Sequence, residues 1–404
     1  MGQYVVLRSQ ADSGIGPIRH GVAGRGSPSG RELAPPSLQI ARETLDRNEV
    51  ADLARDPAVL SVSRTMPTAL IRPVSAWEEP QPPQLRPDKT QQTWGVRAVG
   101  AHTSRATGAG VKVAVLDTGV DAGHPAFAGV ELEQQDFTSG GDGDRHGHGT
   151  HCAATFFGRD LGDGARIGVA RGVTQAFIGK VLDDNGRGDT HMMFAGLQAA
   201  VARKARVISI SLSLDFPGLV ARWVADGIPV ALATSRALEA YRDNLRALDK
   251  LVASSNALAA FDGGCLIFAA AGNESQANGQ PAFRVGASLP AATEGVVAVG
   301  AVADGEGGYT VAPFSNTYPQ LVAPGVGVLS AMARGRAVTM DGTSMACPHV
   351  AGVAALWWEW ETGPGAPSLV SHLVRAKLLA TARTDLLRSD VAPADRGAGL
   401  VQAP

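Results

Sequence analysis

The sequence is poor in cysteine: three residues, Cys152, Cys265 and Cys347, in a chain of 404. An odd number so widely spaced excludes a disulfide framework and is the usage of a reduced protein. Charge of one sign is also missing. Thirty-six basic residues against 38 acidic ones leave a formal net charge of −2, so the chain as a whole is not drawn to nucleic acid or acidic lipid. No apolar run reaches the roughly 18–20 residues that a bilayer span requires. The opening Met1-Gly2-Gln3-Tyr4-Val5-Val6-Leu7-Arg8 lacks the charged-then-apolar order of a secretory leader, and Gly2 lacks a Ser or Thr at the myristoylation position. A cytoplasmic location is therefore the expectation, with leaderless or alternative export as the other route. Apolar residues are plentiful at 45%, and glycine is in excess at 49. That is material for a large core spread over two or three domains, with many tight turns.

Composition changes near residue 90. Pro67, Pro73, Pro80, Pro82, Pro83 and Pro87 fall between Met66 and Asp88, a spacing that reads as a semi-extended linker, neither helix nor central strand. Residues 1–88 then comprise a small α+β module with this linker as its tail. Tyr4–Leu7 reads as a strand. Glu43–Arg55 reads as a helix with Leu45, Val50, Leu53 and Ala54 on one side, and Val59–Val62 as a second strand. Gly21–Gly30 is expected to be a loose loop. So small a unit has a marginal core and is expected to lean on something larger.

Residues 89–404 alternate strands, glycine turns and helices. Val111–Leu116, Ala176–Leu182, Val207–Leu212, Cys265–Ala271 and Val296–Val302 are near-continuous apolar runs. Met192–Lys204 and Arg236–Ala260 have helical spacing. This pattern predicts an α/β fold, a mostly parallel central sheet with helices on both faces. Chemistry in such sheets gathers past the carboxyl ends of the strands. Asp117 follows the first strand in Val115-Leu116-Asp117-Thr118-Gly119, and Asn273 follows another in Ala270-Ala271-Gly272-Asn273. Either alone reads as a turn former beside glycine.

Two further segments alter that reading. Asp144-Arg145-His146-Gly147-His148-Gly149-Thr150-His151-Cys152 places three histidines in six positions at the start of a small-residue helix. Asp341-Gly342-Thr343-Ser344-Met345-Ala346-Cys347-Pro348-His349 places a serine at the mouth of an apolar helix. Pro348 is tolerated in a first helical turn, which sets Ser344 at or near the amino end. Free backbone N–H groups and the positive end of a helix dipole there favour an oxyanion.

These four segments, in the order Asp, His, Ser, resemble those of the subtilisin-like serine proteases, the subtilases, over about Trp94 to Val401. The resemblance implies a serine endopeptidase. Ser344 corresponds to its nucleophile, His148 to the general base, Asp117 to the carboxylate orienting that base, and Asn273 with the Ser344 N–H to the oxyanion hole. It also implies that Ser211-Leu212-Ser213 pairs with the substrate backbone while Ala270-Ala271-Gly272 forms the opposite pocket wall. Ser213 stands where the family usually has glycine. The connection over about residues 215–261 is much longer than is typical, a helical insertion that either caps the cleft or packs away from it. The amino-terminal module resembles a subtilase propeptide. It would act as an intramolecular inhibitor, with its tail along the cleft and a cut between Arg86 and Thr93. Peptide or protein substrates are the implied partners, without nucleic acid or a membrane span. No cofactor is required; calcium, common in the family as a structural ion, has the Asp160 to Gly168 loop as its candidate place.

Other readings remain open at this stage. Asp117-Thr118-Gly119 is also an aspartic-protease signature, but its one counterpart, Asp12-Ser13-Gly14, follows no apolar strand. His146, His148, His151 and Cys152 could form a zinc cluster, which would leave the serine segment unexplained; no catalytic metal is expected. Cys152 and Cys347 read either as small buried hydrophobes or as reactive thiols. Among functions, a dedicated intracellular processing protease, a transpeptidase and a silent peptide-binding scaffold are the alternatives.

Overall fold

A computed structural model describes residues 1–10, 37–74, 92–257, 259–362 and 369–404. The loop expected over Gly21–Gly30 lies outside these residues, as does nearly all of the span expected to hold the cut.

The amino-terminal module is built from β1 (Gly2–Gln10), β2 (Ser37–Leu45), the helix α1 (Arg47–Leu53) and β3 (Val59–Arg64). Its sheet is antiparallel in the order β2-β1-β3. The helix is shorter than its apolar spacing predicts: Glu43, Thr44 and Leu45 belong to the strand. Asp46 sets the boundary. Its carboxylate accepts from the N–H groups of Asn48 and Glu49, at 2.7 and 3.0 Å, and the Glu49 carboxylate accepts from the Asp46 N–H at 2.7 Å. This reciprocal cap fixes the first turn at Arg47.

The linker also departs from expectation. Pro67–Leu70 is a strand, β4, and the middle one of three. Proline is tolerated as the first residue of a strand, and Thr68, Ala69 and Leu70 keep their N–H groups before the next proline at Pro73.

The remainder begins with α2 (Trp94–Ala98), β5 (Val113–Asp117), β6 (Glu131–Asp136), α3 (His148–Phe157), β7 (Gln175–Lys180) and β8 (Arg187–Asp189). Next come α4 (Thr190–Ala202), β9 (Val207–Ile210), β10 (Leu212–Leu214), α5 (Phe216–Ala225), α6 (Val230–Ala257), α7 (Ala259–Asp262) and β11 (Leu266–Ala270). The chain closes through β12 (Val296–Ala303), β13 (Thr310–Val311), β14 (Leu321–Pro324), β15 (Val328–Met332), β16 (Arg336–Met340), α8 (Thr343–Glu361), α9 (Val370–Thr381) and α10 (Pro393–Arg396). The central sheet runs β13-β12-β11-β9-β5-β7-β6, with β14 also on β12. All its pairings are parallel except β12 with β13.

Alternation divides each central strand between two cores. Val113 and Val115 of β5, with Phe268 of β11, face α3 and α8 through Ala153, Phe156, Val350 and Ala354. Ala114, Leu116 and Ile267 face the opposite way, onto Met193 and Leu197 of α4 and Leu248 and Leu251 of α6. Val5 and Leu7 of the amino-terminal module belong to that second core, so the module does lean on the larger body. Asn244 of α6 donates to the Arg64 carbonyl at 2.7 Å, Lys250 to that of Leu60, and Gln198 of α4 to that of Leu38. The long insertion thus supplies part of the module's seat.

Leu7→Ala is expected to destabilise this seat by about 2–5 kcal/mol, the cost of truncating a buried leucine. Hydrogen exchange should accelerate in β1–β3 while β5 and β9 keep their protection.

Candidate active site

Asp117 is the last residue of β5, and His148 opens α3. Both are buried, and the His148 Nδ1 lies 2.8 and 3.0 Å from the two Asp117 carboxylate oxygens. With a carboxylate as acceptor, Nδ1 carries the proton and Nε2 is left as the basic nitrogen. Close backbone approach makes this possible. A Cβ on Gly149 would come within 2.1 Å of the Gly119 carbonyl oxygen, so any side chain there would push α3 off the strand end.

Asp144 holds the two segments in register. It accepts from the Thr118 hydroxyl at 3.0 Å and the Gly147 N–H at 2.7 Å on one oxygen. On the other it accepts from the Thr150 N–H at 2.9 Å and hydroxyl at 2.6 Å. Lys180, also buried, donates to the Thr118 carbonyl at 2.9 Å and pairs with Asp184 at 2.6 Å.

Ser344 is the second residue of α8. Pro348 lies deeper in that helix than the first turn, a departure from the expected placement. Its missing N–H frees the Ser344 carbonyl of its helical partner. That carbonyl instead accepts from the Cys152 thiol at 3.3 Å and the Ser211 hydroxyl at 3.4 Å. The Cys152 sulfur also lies 3.7 Å from His148 Nδ1 and 4.0 Å from Nε2, so the imidazole and the start of α8 share one thiol as neighbour. The Ser344 hydroxyl donates to the Ile71 carbonyl at 3.2 Å. Among the described residues no hydrogen bond joins it to His148.

Asn273 sits just past β11. Its Oδ1 accepts from the Thr343 N–H at 2.9 Å and the Thr343 hydroxyl at 2.8 Å, which fixes the amide orientation and aims Nδ2 outward. Nδ2 donates to the Arg72 carbonyl at 2.9 Å.

That carbonyl belongs to a segment running through the site. Strand β4 lies between β10 and β8, with Leu70 opposite Leu212, Ala69 opposite Ser213 and Thr68 opposite both Leu214 and Gly188. Beyond Arg72, the Val74 N–H donates to the Asp341 carbonyl at 3.0 Å. A cavity of about 650 Å³ opens beside Arg72. Ser213, Glu274 and Ser288 line it, and so do Phe216, Leu238 and Tyr241 from the insertion. Leu212 and Ser213 thus pair with residues 69–70 of the same chain, and Ala270, Ala271 and Gly272 are buried.

The remaining expected ligands disperse. His151 turns Nε2 to the carbonyls of Val328 and Val338, at 3.1 and 3.2 Å, so it does not join His148 in a metal cluster. Asp117, His148 and Cys152 form the one group of metal-capable side chains among the described residues. Burial, with Asp117 nearby, raises the Cys152 thiol well above its ordinary range, and burial pushes Cys347 up to about 12. Both are neutral thiols, poor nucleophiles. In the loop from Asp160 to Gly168, Asp160 faces Arg171 at 3.5 Å and Asp163 accepts from the Ala165 N–H at 3.0 Å.

Asp144, Thr343 and Asn316 were not singled out by the sequence reading. Asn316, fully buried, accepts from the N–H groups of Glu274 and Ser275 and donates to the Ala271 carbonyl and the Glu274 carboxylate. It braces the turn that presents Asn273. Only the adjacency of Asp144 and Thr343 to the histidine and serine segments could have flagged them; Asn316 carries no such signal.

With this geometry in view, comparison with known proteins is informative. A family model described as the Subtilase family matches residues 108–399. An intracellular serine protease of Paenibacillus polymyxa is 34% identical over 259 residues, covering 62% of this chain and 67% of that one. Subtilisin E of Bacillus subtilis (strain 168) is 30% identical over 324 residues, covering 79% and 70%. A thermostable alkaline protease of Halalkalibacterium halodurans is 29% identical over 350 residues, covering 85% and 78%.

Two buried histidines beside the site give it a pH signature. Burial lowers His151 to about 3 and His349, which contacts the Met345 carbonyl at 2.8 Å, to about 4. Above pH ~6.5 both are neutral, folded or unfolded. Below it the unfolded chain takes up protons that the folded one refuses, so stability falls as pH drops from ~6.5 toward ~4. Urea titrations at pH 7 and pH 5 should show this loss, and His349→Gln should reduce it.

Proposed function

Since the chain belongs to the subtilase family and is a serine endopeptidase, we propose that Asp117, His148 and Ser344 carry out its chemistry, with Asn273 as oxyanion donor. The observation that carries this assignment is the seated segment, whose Arg72 carbonyl lies 2.9 Å from Asn273 Nδ2 while its strand pairs with β10. A carbonyl so held is where a scissile bond would sit.

The chemistry follows from the groups present. Ser344 Oγ attacks the carbonyl carbon as His148 Nε2 takes its proton, and Asp117 holds the imidazole through Nδ1–H. Negative charge develops on the carbonyl oxygen and is met by Asn273 Nδ2, the Ser344 N–H and the positive end of α8. His148 then returns the proton to the departing amine. A water molecule, activated by the same imidazole, releases the acyl group from Ser344. The hydroxyl must first leave the Ile71 carbonyl and rotate toward His148. No cofactor enters these steps.

The amino-terminal module reads as an intramolecular inhibitor. Its support is the continuity from β3 into β4, which delivers the tail into the cleft, and the core that Val5 and Leu7 share with α4 and α6. No helix among the described residues is long and apolar enough to cross a membrane. Two relatives carry the name intracellular serine protease, and we assign this chain the same setting.

Ser344→Ala should abolish labelling by a fluorophosphonate probe that the native chain takes up; equal labelling of both would sink the assignment. Asn273→Leu should lower kcat about 100- to 1000-fold with little change in KM, the span that losing this donor has in subtilisin.

A further inference from the structure

The carbonyl seated at the Asn273 donor is that of Arg72, just before Pro73; we propose that Arg72–Pro73 is the bond presented for reaction and that Pro73 is the residue that makes the seated segment an inhibitor instead of a substrate. The proposal rests on the reading of Ser344 and Asn273 just given.

The chain is gripped on both sides of this bond. On the acyl side, Leu70 and Ala69 pair with Leu212 and Ser213, and the Arg72 carbonyl occupies the Asn273 donor. On the amine side, the Val74 N–H reaches the Asp341 carbonyl, two residues before Thr343. Pro73, between them, is buried. Binding is therefore that of a substrate aligned through its backbone.

Proline acts on the two halves of the problem in opposite directions. It restricts the residue before it to extended backbone, the form that strand-like docking requires, so Arg72 loses less freedom on binding. It also fixes its own φ and carries a ring carbon where other residues carry the amide hydrogen. Acylation would form a Ser344 Oγ–Arg72 carbon bond and break the carbon–nitrogen bond to residue 73. The proton taken from Ser344 would pass through His148 to that nitrogen. With Pro73 the nitrogen already bears the ring Cδ, which crowds the approach of the imidazole and holds the nitrogen in one orientation. Collapse back to the intact bond then outruns departure of the amine. With an ordinary residue the nitrogen accepts the proton, the amine leaves, and water completes hydrolysis to an Arg72 carboxylate and free Ser344.

The test is the intact mass of the full chain in its native form, as Pro73→Ala and as Pro73→Ala with Ser344→Ala, with hydrolysis of labelled casein measured alongside. Pro73→Ala should split after Arg72 at least about 100-fold faster than the native chain, the scale of a lost proton transfer. The double variant should stay whole. Two synthetic peptides of residues 66–74, one native and one carrying Pro73→Ala, provide a second check in trans. The self-cleaved Pro73→Ala chain should cut the substituted peptide after Arg72 and leave the native peptide intact. A Pro73→Ala chain that hydrolyses casein but keeps the bond after Arg72 overturns the proposal and leaves the endopeptidase reading standing. Equal cutting of the two peptides, or native cleavage after Arg72 at the variant's rate, overturns it as well. Absence of casein hydrolysis and of self-cleavage in every form would remove both readings.

Discussion

The hydrogen bond from Asn273 to the Arg72 carbonyl is where three distant parts of the chain meet: the amino-terminal segment, the end of β11 and the start of α8. It depends on the amide being turned one way. Thr343 determines that by offering two donors to Oδ1, and Asn316 supports the same turn from beneath. Were the amide reversed, its oxygen would face another oxygen at Arg72 and its nitrogen would face two donors. The orientation is thus set by saturation of a partly buried polar network, in which each satisfied group restricts the next to a single arrangement.

A second constraint lies in the sheet. Parallel strands with both faces covered expose their ends alone, and the carboxyl ends of β5 and β11 deliver Asp117 and Asn273 to one edge. Helices starting at that edge bring His148 and Ser344 to it amino end first. Asp144, the acidic residue just ahead of the histidine helix, is spent on four donors from the two segments it joins. Site geometry and fold stability are therefore parts of one hydrogen-bonded structure, and the surrounding histidines are held neutral by the same dry interior.

Much of this was legible in the sequence because it is written locally. The apolar runs ending in Asp117 and before Asn273 mark buried parallel strands, and a serine followed by small residues and Pro348 marks the beginning of a helix. What was not legible depends on partners far away in the chain. Pro67–Leu70 becomes a middle strand because β8 and β10 provide edges on either side of it, a condition that proline counting does not see. Glu43–Leu45 continue a strand because β1 pairs with them, and tertiary pairing overrode their helical spacing. Pro348 could sit beyond the first turn because Cys152 and Ser211 supply donors to the carbonyl it frees. Asn316 was invisible for the same reason: its partners come together only in the folded chain.

The connection between β3 and β4 is two residues, Thr65 and Met66. A strand so tightly leashed to a docked body meets the cleft at an effective concentration on the order of millimolar, whatever the protein's own abundance. Any soluble peptide must compete with that local excess. Occupancy of the cleft by this strand is insensitive to dilution for as long as the leash holds, and it becomes an ordinary bimolecular equilibrium once the module is severed from its body.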